Sequence, residues 1–227
     1  APARAWFPIV GIGASAGGLE ALEQFLGRVP EASGMAFVIV QHLDPTHKGI
    51  MPELLQRATG MRVLQVKDRT KVRPNCVYVI PPNKDMSVLH GVLHWLEPAA
   101  PRGLRLPIDF FLRSLALDQQ EHSIGVILSG MGSDGTLGLR AIKEKAGVVL
   151  VQDPATAKFG GMPRSAIDAG LADLRIVGEG FPAALELAGD ALRLVHEEYH
   201  DVKRGLPETM GRLSVGKLPA QQDHLIV

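Results

Sequence analysis

Cysteine is almost absent from this chain. Cys76 is the only one in 227 residues, which excludes an internal disulfide. Its setting, Asn-Cys-Val-Tyr-Val-Ile, predicts the start of a buried strand, so Cys76 reads as a core residue and not as a nucleophile. Net charge is absent too: 24 Lys and Arg balance 24 Asp and Glu, which removes the overall electrostatic case for binding nucleic acid or an anionic membrane. No apolar run reaches the roughly 18 residues of a membrane span, the N-terminus shows no charged-then-apolar leader, and there are no internal repeats. A cytoplasmic protein with no nucleic-acid partner and no membrane insertion is the expectation. The opening Ala-Pro-Ala lacks a methionine and reads as the start of a piece of something longer.

What is present is apolar sequence, 46% of the chain, ample for one large α/β domain and cramped for two. Apolar runs at Phe7 to Ile12, Ala36 to Val40, Ile124 to Leu128 and Val148 to Val151 read as buried parallel strands. Helical patterns separate them, at Gly17 to Arg28, Ile50 to Ala58, Ile108 to Asp118, Leu137 to Lys145 and Pro163 to Ala169. Repeated βα units predict a doubly wound, mostly parallel sheet. One segment breaks the rhythm: Met86 to Leu89, His90-Gly91 and Val92 to Leu96 predict an antiparallel β-hairpin insertion. A long amphipathic helix is expected from Phe181 to Arg204, ending at Gly205-Leu206-Pro207. The organisation is therefore a single domain over 1–205 and a linker or tail over 206–227.

The segment richest in chemistry is Val10-Gly11-Ile12-Gly13-Ala14-Ser15-Ala16-Gly17-Gly18, a serine inside Gly-x-Ser-x-Gly between a strand and a helix. A turn this tight needs small neighbours, and it exposes the hydroxyl at a helix N-terminus where backbone N–H groups can hold an oxyanion. Gly11-x-Gly13-x-x-x-Gly17 also fits a loosened dinucleotide fingerprint, so a non-enzymatic nucleotide-binding or docking module is the alternative. The strand ends separate the two readings. Ligands bind beyond the carboxyl ends of parallel strands, and there this chain places Ser15, then Gln41-His42, then Ser129-Gly130-Met131-Gly132-Ser133-Asp134-Gly135. A hydroxyl, an imidazole and a carboxylate are the parts of a Ser-His-Asp triad. A dinucleotide site instead wants an acid at the end of the second strand, where Gln41-His42 stands. The chain order Ser, His, Asp differs from the Ser, Asp, His of α/β-hydrolases.

These pieces resemble the catalytic domain of CheB, the chemotaxis receptor protein-glutamate methylesterase. The resemblance covers roughly residues 8 to 190. It rests on residues 12–18 and 40–42, on Tyr78-Val79-Ile80-Pro81-Pro82, on residues 125–135, and on Gly161-Met162-Pro163-Arg164-Ser165-Ala166-Ile167. It implies Ser15 as nucleophile, His42 as general base and Asp134 as its orienting partner, with the backbone N–H groups of Ala16 and Met131 at the oxyanion. It implies hydrolysis of glutamate methyl esters on the cytoplasmic helices of methyl-accepting chemotaxis receptors, related deamidation of glutamine, and no cofactor or metal. Ala16 stands where receiver-bearing relatives commonly carry threonine. The first catalytic strand begins within ten residues of the start, so a catalytic module without the family's usual regulatory receiver domain is the expectation. Residues 42–49 and 158–164 look closer to modules fused to a CheR-type methyltransferase.

Competing readings exist for single residues. Ser15 could cap the helix that follows it, His42 could be a satisfied structural histidine, and Asp134 could cap the helix beginning near Thr136. His196-Glu197-Glu198-Tyr199-His200 matches the zinc-protease pattern His-Glu-x-x-His, but it sits on the last helix beside a linker and lacks an evident third ligand. A solvated helix face is the expectation there. His47, His90, His94 and His122 show no convergent ligand spacing, and Lys48, Arg102 and Arg105 are candidates to flank the cleft.

Overall fold

The computed structural model describes residues 7–42, 50–98, 104–177, 180 and 182–193. The chain runs β1 (Ile9–Ala14), α1 (Gly18–Leu26), β2 (Ala36–Gln41), α2 (Ile50–Ala58), β3 (Arg62–Gln65), β4 (Thr70–Lys71), β5 (Cys76–Val79), β6 (Asp85–Leu89) and β7 (Val92–Leu96). There follow α3 (Pro107–Gln119), β8 (Ser123–Ile127), α4 (Thr136–Glu144), β9 (Val148–Gln152), α5 (Gly161–Asp168) and β10 (Leu174–Ile176), with further helix over 182–193. Seven strands form one parallel sheet in the order β10-β9-β8-β1-β2-β5-β3, and β4-β7-β6 form a small antiparallel sheet.

Strand period two sorts the core into two layers. On β1, Val10 and Ile12 pack with Leu22 and Phe25 of α1, while Ile9 faces the layer of Phe111, Leu112 and Leu139. Helices therefore cover both faces, as expected of a doubly wound sheet, and the strands need near-continuous Val and Ile. Burying a side chain such as Phe25 or Phe111 contributes roughly 2–3 kcal/mol. The remaining positions of β1 on the second face are glycines. A Cβ at Gly11 would lie 2.7 Å from Leu112 Cδ2, and one at Gly13 only 2.4 Å from Ile108 Cγ2. Helix α3 thus seats directly on the β1 backbone, which brings its first turn to the carboxyl end of the central strand.

The chain leaves β1 for β2 on one side and returns to β8 on the other, so the topological switch point lies between β1 and β8. Crevices form there because the flanking loops diverge. The hairpin packs on α3, where Ser114 Oγ accepts the Val88 N–H at 3.0 Å and the Asp118 carboxylate takes the N–H groups of His90 and Gly91 across the turn.

Three strands go beyond the expectation. β3 is a partly exposed edge strand, β10 has three residues, and β4 adds two residues to the hairpin. None carries enough alternating apolar residues to show a period. Helix α5 begins two residues before Pro163, which occupies a first-turn position where its missing N–H costs nothing. The 206–227 segment and the end of the expected C-terminal helix lie outside the described residues.

Candidate active site

The Ser15 turn is built from backbone. β1 ends at Ala14, Gly17 takes φ 69, and α1 starts at Gly18. A side chain at Gly17 would be strained by that φ and would meet Lys158 Cβ at 2.8 Å and Ser129 Oγ at 2.9 Å, so only glycine fits. The Ser15 N–H donates to Ser129 O at 3.0 Å, and the Ser15 carbonyl accepts the Gly18 N–H at 2.9 Å. The hydroxyl does not cap α1, whose N-cap is Gly17 without a side-chain bond. It lies instead 3.3 Å from His42 Nδ1.

His42 directly follows β2, and its Nε2 lies 2.8 Å from Asp134 Oδ2. A carboxylate at Nε2 selects the tautomer protonated there, which leaves Nδ1 as the acceptor facing the serine hydroxyl. The sense is reversed relative to the serine-protease arrangement, in which Nε2 faces the hydroxyl. Asp134 is buried, with 4% of its surface exposed. Its Oδ1 accepts the Asp109 N–H at 2.9 Å and its Oδ2 the Ile108 N–H at 3.1 Å. Both donors are first-turn amides of α3, where the helix dipole favours negative charge. The helix that follows Asp134 does not use its side chain, for α4 is N-capped by Gly135 with no side-chain bond. Asp134 therefore does cap a helix, but it is the one earlier in the chain.

Two further carboxyls sit near this pair. Asp109 is buried and accepts the Gly138 N–H at 2.7 Å, tying α3 to α4. Burial raises its pKa, and the Asp134 charge adds to the rise against the lowering effect of the Gly138 bond. Burial also raises Asp85, with Arg105 pulling it down and Asp134 pushing it up.

The amides of Ala16 and Met131 are available. Among the described residues no acceptor takes either N–H. A trans peptide points its N–H and C=O in opposite directions. The carbonyl of Ser15 is held by the Gly18 N–H and that of Gly130 by the Met162 N–H, each at 2.9 Å, so the N–H on the far side of each peptide is aimed from behind. Gly130 is hemmed in as well: a Cβ there would lie 2.2 Å from Met162 Sδ and 3.0 Å from Ser15 Cβ.

Beside Ser15 lies a cleft of about 260 Å³ lined by Gly17, Glu20, Gln24, Ser129, Gln152 and Lys158 among others. Three residues that the motif reading did not single out shape the site. Ser129 and Gln152 bond each other at the ends of adjacent strands, with Ser129 N–H to Gln152 Oε1 at 2.9 Å. Gln41 reaches the Ser15 carbonyl from Nε2 at 3.5 Å, while its buried Oε1 has no partner among the described residues. Gln152 ends β9 as His42 follows β2, so its place at the carboxyl end of a strand is the signal that marks it in the sequence.

The structure does not bring the other candidates into the triad. His90 lies on the hairpin turn, His94 Nδ1 is 3.7 Å from Asp68, and His122 Nε2 is 3.8 Å from Glu121. Arg105 lies near Asp85. His47, Lys48, Arg102, His196 and His200 fall outside the described residues. Among the described residues no group of three or more His, Cys, Asp or Glu is placed to hold a metal ion, and no helix is long and apolar enough to cross a membrane.

Comparison with known proteins gives one answer. Residues 10–180 match the family model described as CheB methylesterase. A protein-glutamate methylesterase/protein-glutamine glutaminase of Moorella thermoacetica is 36% identical over 187 residues, which is 80% of this chain and 44% of that relative. An uncharacterized 104.1 kDa protein of Rhodobacter capsulatus is 44% identical over 123 residues, 54% of this chain and 13% of its own length. The chain thus spans less than half the length of these curated relatives. The crystal structure of the Thermotoga maritima CheB methylesterase catalytic domain superposes with a TM-score of 0.73 at 30% identity, covering 79% of this chain and 97% of that one.

Proposed function

Given that the chain belongs to the CheB methylesterase family, we propose that it is a serine hydrolase that removes the methyl group from glutamate methyl esters on the cytoplasmic helices of methyl-accepting chemotaxis receptors. The observation that carries this reading is the unbroken relay from Ser15 Oγ to His42 Nδ1 at 3.3 Å and from His42 Nε2 to Asp134 Oδ2 at 2.8 Å. It stands at the switch point of the sheet, where the fold opens.

In the reaction, Ser15 Oγ attacks the side-chain carbonyl carbon of the ester and its proton passes to His42 Nδ1. The imidazolium keeps its Nε2–H on Asp134, whose charge two α3 amides help to hold. The carbonyl oxygen becomes an oxyanion and accepts the N–H groups of Ala16 and Met131. Collapse breaks the C–O bond to the methoxy group, which leaves as methanol with the proton from Nδ1. Water, deprotonated by the same imidazole, then cleaves the glutamyl-serine ester and releases the carboxylate. With glutamine the leaving group is ammonia, so deamidation needs no further residue. No step needs a metal or an organic cofactor.

The nucleotide-binding alternative loses its main support, because Gly11 and Gly13 are filled from one side by α3 and are thereby explained by packing. The long Rhodobacter relative supports placing such a module within a larger chain, and a fused CheR-type methyltransferase is the partner domain that the sequence suggests. Compartment follows from substrate: receptor cytoplasmic helices require a cytoplasmic enzyme.

The test is methanol release from methyl-labelled receptor cytoplasmic fragments, together with labelling by a fluorophosphonate. Ser15→Ala should abolish both while leaving the melting temperature near wild type, since the hydroxyl sits on a turn and fills little of the core. Turnover near wild type in that variant would refute the triad.

A further inference from the structure

Ser129 follows β8 by two residues and is 1% exposed, yet every polar atom it has is used, across three separate segments. Its N–H donates to Gln152 Oε1 at 2.9 Å, and its carbonyl accepts the Ser15 N–H at 3.0 Å. Its hydroxyl donates to the Ala16 carbonyl at 2.8 Å and accepts the Phe159 N–H at 3.0 Å. Only a group that gives and takes a hydrogen bond at once can do both, which a hydroxyl can and a methyl cannot.

We propose that Ser129 is a positioning residue of this site, bracketing Ala16 so that the Ser15 hydroxyl and the Ala16 N–H keep their aim. The bracket is literal. One atom of Ser129 holds the peptide before Ser15 and another holds the peptide after Ala16, so the backbone between them cannot rotate without breaking one of the two bonds. The same hydroxyl reaches the second oxyanion donor. Phe159 N–H is bound to Ser129 Oγ, Phe159 O accepts the Gly130 N–H at 2.9 Å, and Gly130 pairs with Gly160 immediately before Met131. Both aimed amides therefore hang on a single side-chain oxygen whose hydrogen bonds go to the backbone at Ala16 and Phe159. Oxyanion donors act only over a narrow range of distance and direction, so a shift of a few tenths of an ångström in this turn reaches the rate without reaching the binding of substrate. Satisfying a buried backbone carbonyl would by itself alter stability alone.

The inference rests on the hydrolase reading, and the experiment separates the two. Ser129→Ala and Ser129→Thr are compared with wild type in the full chain by the rate of Ser15 labelling with a fluorophosphonate, by kcat and KM for methanol release, and by thermal melting. Labelling rate and kcat should fall together by about tenfold to a hundredfold in Ser129→Ala with KM within about twofold, and Ser129→Thr should recover most of the loss. Threonine keeps a hydroxyl that can donate and accept at once, which is the property the bracket requires. A folded Ser129→Ala with wild-type labelling, or a folded threonine variant as slow as alanine, overturns the inference. Should the alanine variant not fold, Ser129→Cys carries the same test, keeping the volume with a much weaker donor; wild-type labelling in that variant overturns the inference. A wild-type chain that takes no label refutes the hydrolase reading and the inference with it. One that labels but releases no methanol refutes the substrate, and the labelling rates still decide the role of Ser129.

Discussion

Replacing Asp134 by asparagine tests the site most sharply, because the carboxylate has more donors than an amide can serve. Oδ1 takes the Asp109 N–H, while Oδ2 takes both the Ile108 N–H and His42 Nε2. An amide has one acceptor oxygen. With that oxygen at the Oδ2 position, His42 keeps its tautomer, but the new NH2 faces the Asp109 N–H. With the oxygen at Oδ1, the NH2 faces the Ile108 N–H and donates to His42 Nε2, forcing the ring proton onto Nδ1 where the serine proton must go. One buried amide loses its partner in either orientation, costing about 1–3 kcal/mol, or a melting temperature lower by roughly 2 to 12 °C for a chain of this size. In either orientation the charge that steadies the imidazolium is gone, so kcat should fall on the order of a thousandfold or more. Methanol release and thermal melting on one preparation measure both. A variant that melts early but turns over within about tenfold of wild type would show that Asp134 only caps α3, and the relay argument would fail.

Gly13→Ala should act on the site from the opposite face: its Cβ would lie 2.4 Å from Ile108 Cγ2 and 2.8 Å from Ile127 Cδ1, displacing the first turn of α3. A loss of about 1–3 kcal/mol in denaturant unfolding with kcat down about tenfold or more is expected, and a fully active variant would refute the seating of α3 as the reason for this glycine. Asp109 carries a pKa raised above 3.8 by burial first and by Asp134 next. A raised carboxyl binds its proton more tightly folded than unfolded, so its contribution is full below 3.8 and is lost as pH climbs through the raised value. Asp109→Asn keeps an acceptor for the Gly138 N–H and cannot titrate. Its stability relative to wild type should therefore improve across that window in urea titrations at a series of pH values, and a pH-independent difference would count against the argument. Chelator treatment should leave methanol release unchanged, and His196→Ala with His200→Ala should be nearly silent. Stoichiometric zinc lost together with activity in the double variant would overturn that expectation.

The central strands were legible because β1, β2, β8 and β9 are buried on both faces and so read as apolar runs. Ser15 directly follows β1, His42 directly follows β2, and Asp134 lies in the loop after β8. Edge elements were not legible: Arg62–Gln65 is half exposed and mixes charge with apolar residues, and Leu174–Ile176 is too short for a period. Gly11 and Gly13 were misleading for a physical reason. Glycine in a strand signals close approach, and a sequence does not say whether a phosphate or a helix approaches. The support of Asp134 by Ile108 and Asp109 was invisible for a related reason, since both residues act through their amides and any side chain would do. Ser129 and Gln152 were visible as polar residues at strand ends, but polarity there says nothing of which loops it joins.

The relay joins positions far apart along the chain. Ser15 and His42 are 27 residues apart, His42 and Asp134 are 92, and Ser129 reaches Ala16 across 113. Contacts of such separation form late, because chain closure must precede them. On the proposed mechanism, a folding chain that has paired β1 with β2 and closed its hairpin carries a Ser15 no more reactive than any serine in water, and the relay is completed when β8 docks beside β1 and brings Asp134 to His42. Recovery of fluorophosphonate labelling on refolding should therefore time the docking of β8 beside β1, and molecules that have not yet made that contact should be silent toward the esters around them.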